Sequence, residues 1–229
     1  MNELLWILML VLNFGAIMFA FRKWGKVGLM VWVPISVIIA NIQVTKTIEL
    51  FGMEATLGNI VYATSFLATD ILSEFYSDKE AKKSIKFGFF SLIIMTVMMQ
   101  MALFFKPAPS DMVQSSLRTV FSLMPRIVAG SLLAFFLSSY HDIWAYRHWK
   151  NLNKPLFLRN NLSTLVSQLI DTTVFSLIAF YGVFTGKVLL EIMFSTLVFK
   201  WIVAICDTPM IYLARKWVSD GKIKEISIN

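Results

Sequence analysis

Phe87–Phe105 reads FGFFSLIIMTVMMQMALFF, nineteen residues without a single Asp, Glu, Lys or Arg. Coiled as an α-helix at 1.5 Å per residue, such a run spans about 30 Å, the thickness of the hydrocarbon layer of a bilayer. It has none of the alternation of a half-buried strand and no polar face to turn toward water. Read this way, it predicts a membrane-crossing helix, and the rest of the chain follows the same rule. Of the 229 residues 57% are hydrophobic and only 15% are charged, where soluble domains run nearer a quarter. Apolar runs recur from end to end, and no stretch between them could bury a core of its own. The reading is an all-α integral membrane protein, a polytopic bundle of six or seven helices forming one transmembrane domain over 1–229. Seven candidate helices are expected at about 3–21, 27–49, 56–76, 85–105, 117–145, 160–182 and 188–214. The first is read as a retained helix, since MNELLWILMLVLNFGAIMFAF lacks a basic leader and a small-residue cleavage pattern.

Lys and Arg indicate orientation, because they collect in cytoplasmic loops. One side carries Arg22, Lys23, Lys26, Lys79, Lys82, Lys83, Lys86, Arg147, Lys150, Lys154, Arg159, Arg215, Lys216, Lys222 and Lys224, fifteen residues in all. The other side carries three, Lys106, Arg118 and Lys187. This predicts the cytoplasmic (inner) membrane, with the N-terminus outside and the C-terminus in the cytoplasm. The net charge of +7 is then a topology signal, and nucleic acid is not expected as a partner. The lipid bilayer is. Trp24, Tyr76, Trp144, Trp149 and Trp217 fit an interfacial belt. The lone cysteine, Cys206, forms no internal disulfide.

Against this background TSFLATDILSEFY (Thr64–Tyr76) is odd, because it sets Asp70 and Glu74 inside or near a span. A charge at the bilayer centre costs about 2.5–3.5 kcal/mol and normally faces a bundle interior, a partner charge or a solute path. Arg126, Asp171, Lys200 and Asp207 raise the same question. Spacing shows which of them share a face. Phe66, Asp70 and Glu74 form one stripe at four-residue intervals. Gln168, Asp171 and Phe175 form a second at i, i+3, i+7. Lys200 and Asp207 are seven apart on the last helix. Gly130 lies one turn past Arg126 and permits close helix approach. Either Arg126 or Lys200 could neutralise Asp70 or Asp171. Several inward polar stripes together predict a buried polar cavity. Carboxylates beside aromatic rings suit a flat, donor-rich heterocycle, which one carboxylate can grip through two N–H groups while a ring stacks on its face. An ion or proton path fits the charges equally well.

Catalytic signatures are missing. The sequence has no H-E-x-x-H, no G-x-S-x-G and no Gly-rich phosphate loop, so no enzyme activity and no cofactor are expected. His141 and His148, with Asp142 between them, are spaced poorly for a closed metal site, and interfacial anchoring is expected for them instead.

FLATDILSEFYSDKEAKKSIKFGF (Phe66–Phe89) resembles the signature of the queuosine precursor transporter family, also called the vitamin uptake transporter family. Further pieces agree in order. They are NIQVTKTIELFG (Asn41–Gly52), read as a helix end, MPRIVAGSLLAF (Met124–Phe135), RNNLSTLVSQLIDTTVFSLIAFYG (Arg159–Gly182) and FKWIVAICDTPMIYLARK (Phe199–Lys216). The family-like core covers about 27–216. Departures are Ala63 in place of proline, Ser77 in place of glycine, and Asp207 in place of an apolar residue. The resemblance implies import of 7-deazaguanine precursors of queuosine, 7-cyano-7-deazaguanine and 7-aminomethyl-7-deazaguanine, and the free base queuine. It implies a fold similar to the substrate-binding subunits of energy-coupling-factor transporters. The alternative function is such a subunit, dependent on a separate energising ATPase, and a homo-oligomer is also open. Matched positions make Asn41, Lys46, Asp70, Glu74, Arg126, Gln168, Asp171 and Lys200 the expected substrate-binding residues, to which the spacing adds Phe66 and Phe175. The extra acid Asp207 would suit the cationic aminomethyl compound.

Overall fold

The computed structural model describes residues 1–151 and 156–223; the side chains at 139, 142–143, 145–147, 149–151 and 156–165 lie outside that description. Lys154 and Lys224, and the side chains of Asp142, Arg147, Trp149, Lys150 and Arg159, used above for orientation, belt and metal readings, therefore lie outside that description.

The chain is a polytopic α-helical bundle. α1 (Asn2–Gln43) is 42 residues long and would reach about 63 Å if straight, twice the hydrocarbon thickness. It does not run straight. Gly25 has φ 54° and ψ −131°, a conformation closed to other residues, and the two halves fold back on each other around it. A Cβ on Gly28 would sit 2.3 Å from the carbonyl oxygen of Ala20. The ends of α1 consequently meet at one side of the molecule, where Asn2 Nδ2 donates to the Glu49 carbonyl at 2.9 Å. The expected first two helices are thus the two halves of α1.

The second half stops six residues earlier than expected, at Gln43. Residues 47–56 are not helix. β1 (Thr47–Leu50) and β2 (Met53–Thr56) form an antiparallel hairpin, Thr47 opposite Thr56 and Leu50 opposite Met53. The physical reason lies in Val44, Thr45, Thr47 and Ile48, β-branched residues that favour extended backbone. The two-residue loop Phe51-Gly52 has positive φ at both positions, which suits the twist of a tight hairpin. The hairpin seals one end of the bundle. Leu50 and Ala55 are fully buried beneath it, and Ser195 of the last helix donates to the Glu54 carbonyl at 3.0 Å.

α2 (Asn59–Phe75) and α3 (Asp78–Phe104) follow. Between them Ser77 caps α3 by accepting from the Glu80 amide, with Glu80 three residues on, as in a capping box. The expected fifth helix is two. α4 (Gln114–Phe121) ends before Ser122-Leu123 and α5 (Met124–Asn151) begins beyond them. Pro125 explains the break, since it disfavours helical backbone before it and is tolerated in a first turn. α6 (Leu156–Phe180) and α7 (Gly186–Ser219) complete the chain.

Four described stretches are long and apolar enough to cross a membrane unaided, Asn2–Gln43, Asp78–Phe104, Gln114–Ser138 and Gly186–Ser219, and Val166–Phe180 is a shorter apolar helix. Among membrane helices lipid is as apolar as the core, so close approach replaces water exclusion as the packing force. Gly58 shows this where α1 ends beside α2, for a Cβ there would meet the Ala40 carbonyl oxygen at 2.2 Å. Gly130 brings α5 against Phe175 and Ile178 of α6 in the same way. The first half of α1 belongs to the main apolar cluster, where Trp6, Leu10, Phe14 and Ile17 pack with residues of α2 and α7. Described basic residues converge at one end. Arg22 stacks 5.3 Å over Trp217, Lys26 lies 3.8 Å from Glu80, and Arg215 pairs with Glu74 at 2.6 Å.

Candidate functional site

α1, α2, α5, α6 and α7 converge on a cavity near the hairpin end. It is partly open and holds about 450 Å³ of space, the solvent at its mouth included. Asp171 of α6 and Lys200 of α7 supply its charges. Lys200 Nζ donates to Asp171 Oδ2 at 2.9 Å and to Thr172 Oγ1 at 3.1 Å, and it lies 5.3 Å over the ring of Tyr62. The ammonium is 7% exposed and the carboxylate 16%. Removed from water alone, either would be heavily penalised; paired at this distance, each offsets the other. Asp171 Oδ1 accepts no hydrogen bond among the described residues and stays available.

Carboxamides and hydroxyls complete the polar wall. Ser131 of α5 donates to Asn41 Oδ1 at 3.1 Å, while Asn41 Nδ2 donates to the Val37 carbonyl at 2.8 Å. Asn59 Nδ2 donates to Thr196 Oγ1 at 2.9 Å. Phe175 and Tyr62 provide ring surface on the same wall. A second, mostly apolar cavity of about 560 Å³ lies between α1, α2, α3 and α5, and Asn41, Tyr62 and Ser131 line both. Those three residues form the partition between the two spaces.

Of the residues expected from the sequence, Asn41, Asp171, Phe175 and Lys200 line the first cavity. Phe66 lines the second, edge-on to Tyr62 with ring centres 5.4 Å apart. The others go elsewhere. Lys46 stands exposed in the turn between α1 and β1. Glu74 pairs with Arg215 at the basic end, both half-exposed. Arg126 meets no carboxylate among the described residues. Its guanidinium donates to the carbonyls of Ile178 and Tyr181 at 2.8 and 2.7 Å, closing the C-terminus of α6. Gln168 Oε1 accepts from Trp201 Nε1 at 2.8 Å outside the lining. Asp70 and Asp207 line neither cavity, so Asp207 is not placed to meet a substituent on a ligand held there. His141 lies 3.1 Å from Ser167 Oγ and His148 stacks on Trp144; no metal-ligating group occurs among the described residues.

Sequence reasoning missed Asn59, Tyr62, Ser131 and Thr196. A signal existed for two of them. Tyr62 precedes Phe66 by one turn, and Thr196 precedes Lys200 by one turn, extending stripes already recognised.

Fold and site together define a multi-pass membrane protein with a polar, ring-lined chamber inside its helices. Residues 56–214 match the family described as "Putative vitamin uptake transporter". A "Probable queuosine precursor transporter" from Bacillus subtilis (strain 168) is 41% identical over 224 residues, covering 96% of this chain and 98% of the relative. The chain belongs to this family of membrane transporters. No solved structure matches it.

Proposed function

We propose that this protein imports 7-deazaguanine precursors of queuosine, 7-cyano-7-deazaguanine and 7-aminomethyl-7-deazaguanine, by taking the base into the Asp171–Lys200 cavity. The observation that carries this reading is the geometry of that pair. Lys200 occupies one oxygen of Asp171 and leaves the other free, so the carboxylate can accept from the adjacent N–H groups of a guanine-like edge. Phe175 and Tyr62 offer faces for the ring. Asn41 and Asn59 carry both donors and acceptors, which suits the ring carbonyl and its neighbours. The printed name of the Bacillus subtilis relative supports the same substrate class. In this reading the hairpin end faces outward and the basic end faces the cytoplasm. The base enters the first cavity and moves past Asn41, Tyr62 and Ser131 into the second.

The test is uptake of labelled 7-cyano-7-deazaguanine by purified protein in liposomes. Wild type is expected to take up the base and Asp171→Asn to lose uptake. Binding without uptake would instead indicate a binding subunit that needs an ATPase partner. Neither binding nor uptake, with the cyano compound, the aminomethyl compound or queuine, would refute the substrate class.

A further inference from the structure

α2 and α7 run side by side in the same direction, and three contacts fix their register. Asn59 bonds Thr196 at 2.9 Å, Tyr62 lies under Lys200 at 5.3 Å, and Glu74 pairs with Arg215 at 2.6 Å. The offset between partners is almost constant along the pair. Asp70, between Tyr62 and Glu74, therefore stands level with Asp207 to within a turn. The faces agree as well. Asp70 is one turn before Glu74, which points at α7, and Asp207 is two turns after Lys200, which points at α2. The register thus brings the two carboxylates to one level of the α2–α7 interface.

Neither has a compensating partner among the described residues. Asp207 is 8% exposed, and among the described residues it makes no hydrogen bond or ion pair. Asp70 makes none either, and it opens to the surface of the bundle. The charges around them are already engaged. Glu74 holds Arg215 one turn toward the basic end, and Lys200 holds Asp171 two turns the other way. On α1, Arg22 stacks on Trp217 and Lys26 lies by Glu80. On α3, Asp78 accepts from the Ser73 hydroxyl. Cys206, the neighbouring thiol, is half-buried. Of α6, the side chains 156–165, Arg159 included, lie outside the described residues.

Two like charges facing one helix interface, one of them buried, are relieved by sharing a proton. We propose that Asp70 and Asp207 form a proton-binding pair, separate from the substrate cavity, whose loading and unloading is coupled to passage of the base. A proton from water joins one carboxylate oxygen, and the resulting carboxyl donates to the remaining carboxylate. Release to the opposite side restores the two anions. Open Asp70 gives access and buried Asp207 retains the proton. A hard metal cation would need six or more oxygens, and the pair supplies at most four. The coupling, though not the site, rests on the transport reading above.

Two measurements separate these claims. Wild-type liposomes are expected to concentrate labelled 7-cyano-7-deazaguanine when the lumen is alkaline, and a protonophore abolishes this. Asp207→Asn is expected to exchange internal for external base at the wild-type rate yet to concentrate none. Equal accumulation by Asp207→Asn, or accumulation driven by a sodium gradient in place of the pH gradient, overturns the coupling. The site itself is read without transport, by infrared titration of the purified protein. A protonated-carboxyl band is expected in wild type and Glu74→Gln, and lost in Asp207→Asn and Asp70→Asn. Persistence of that band in either Asp variant overturns the pair. If no sample moves the base while the band behaves as expected, the transport reading fails and the proton site stands.

Discussion

Lys200 of α7 reaches between Asp171 of α6, at 2.9 Å, and the ring of Tyr62 on α2, at 5.3 Å. One ammonium thereby joins three helices around the cavity. It neutralises the acid that lines the cavity and leaves one of its oxygens without a partner among the described residues. The pair is both the brace of the chamber and its recognition element, which gives the first prediction.

Asp171→Ala strands a buried ammonium. Breaking such a pair destabilises by about 3–5 kcal/mol, so thermal unfolding in detergent should shift sharply downward. The double variant Asp171→Leu/Lys200→Met should recover most of the loss, because no charge is left unpaired. It should still fail to bind the base. Recovery of binding along with stability would show that the pair only braces the helices.

Phe175→Ala removes a ring face without touching a charge. Stacking on a base is worth about 1–3 kcal/mol by alanine substitution, so the Kd for 7-cyano-7-deazaguanine should rise roughly 5- to 150-fold. Equilibrium binding to the purified protein measures this. An unchanged Kd would place the heterocycle elsewhere in the chamber.

Arg126→Met should weaken the protein without weakening recognition. The guanidinium makes two charge-assisted bonds to carbonyls at the end of α6, each worth about 1.5–3 kcal/mol. A lowered unfolding temperature with unaltered Kd is expected. A selective loss of affinity would return Arg126 to the substrate site where the sequence had suggested it.

Gly58→Val tests the contact between α1 and α2. The first added carbon would fall 2.2 Å from the backbone oxygen of Ala40, and backbone cannot swing aside as a side chain can. Overpacking of this kind costs about 1–3 kcal/mol or more. The yield of folded, monodisperse protein should drop, and base binding with it, since Gly58 lines the cavity.

Glu74→Gln offers the contrast. Its bond to Arg215 is short, but both groups are half-exposed, and such pairs contribute about 0–1 kcal/mol. Stability and binding should both stay near wild type. A large loss of binding would restore Glu74 to the site.

Much of this was legible along the chain. Phe87–Phe105 and its like announce helices because apolar length is a local property. The stripe Gln168, Asp171, Phe175 was readable from spacing, and two of its three members line the cavity. Gln168 departs from it because Trp201, across the helix interface, offers its indole N–H. The hairpin was hidden because TKTIELFG continues an apolar run, and hydropathy does not distinguish a strand lying over a bundle from a helix within it.

The sequence alone determined that the chain lies in a membrane, roughly where its long helices run, and that several charges had to be compensated. Only the tertiary structure decided how. Periodicity states which side chains share a face of one helix; it carries nothing about which helix stands opposite or at what height. Lys200 could have answered Asp70 or Asp171, and the antiparallel register of α6 against α7 gave it to Asp171. Arg126 could have met a carboxylate, and the close approach of α5 and α6 at Gly130 gave it carbonyls instead. The parallel register of α2 and α7 set Asp70 and Asp207 level with each other, and neither pairs with a cation among the described residues. Pairing energies fall off within a few ångströms, so an error of one turn in register exchanges one set of partners for another.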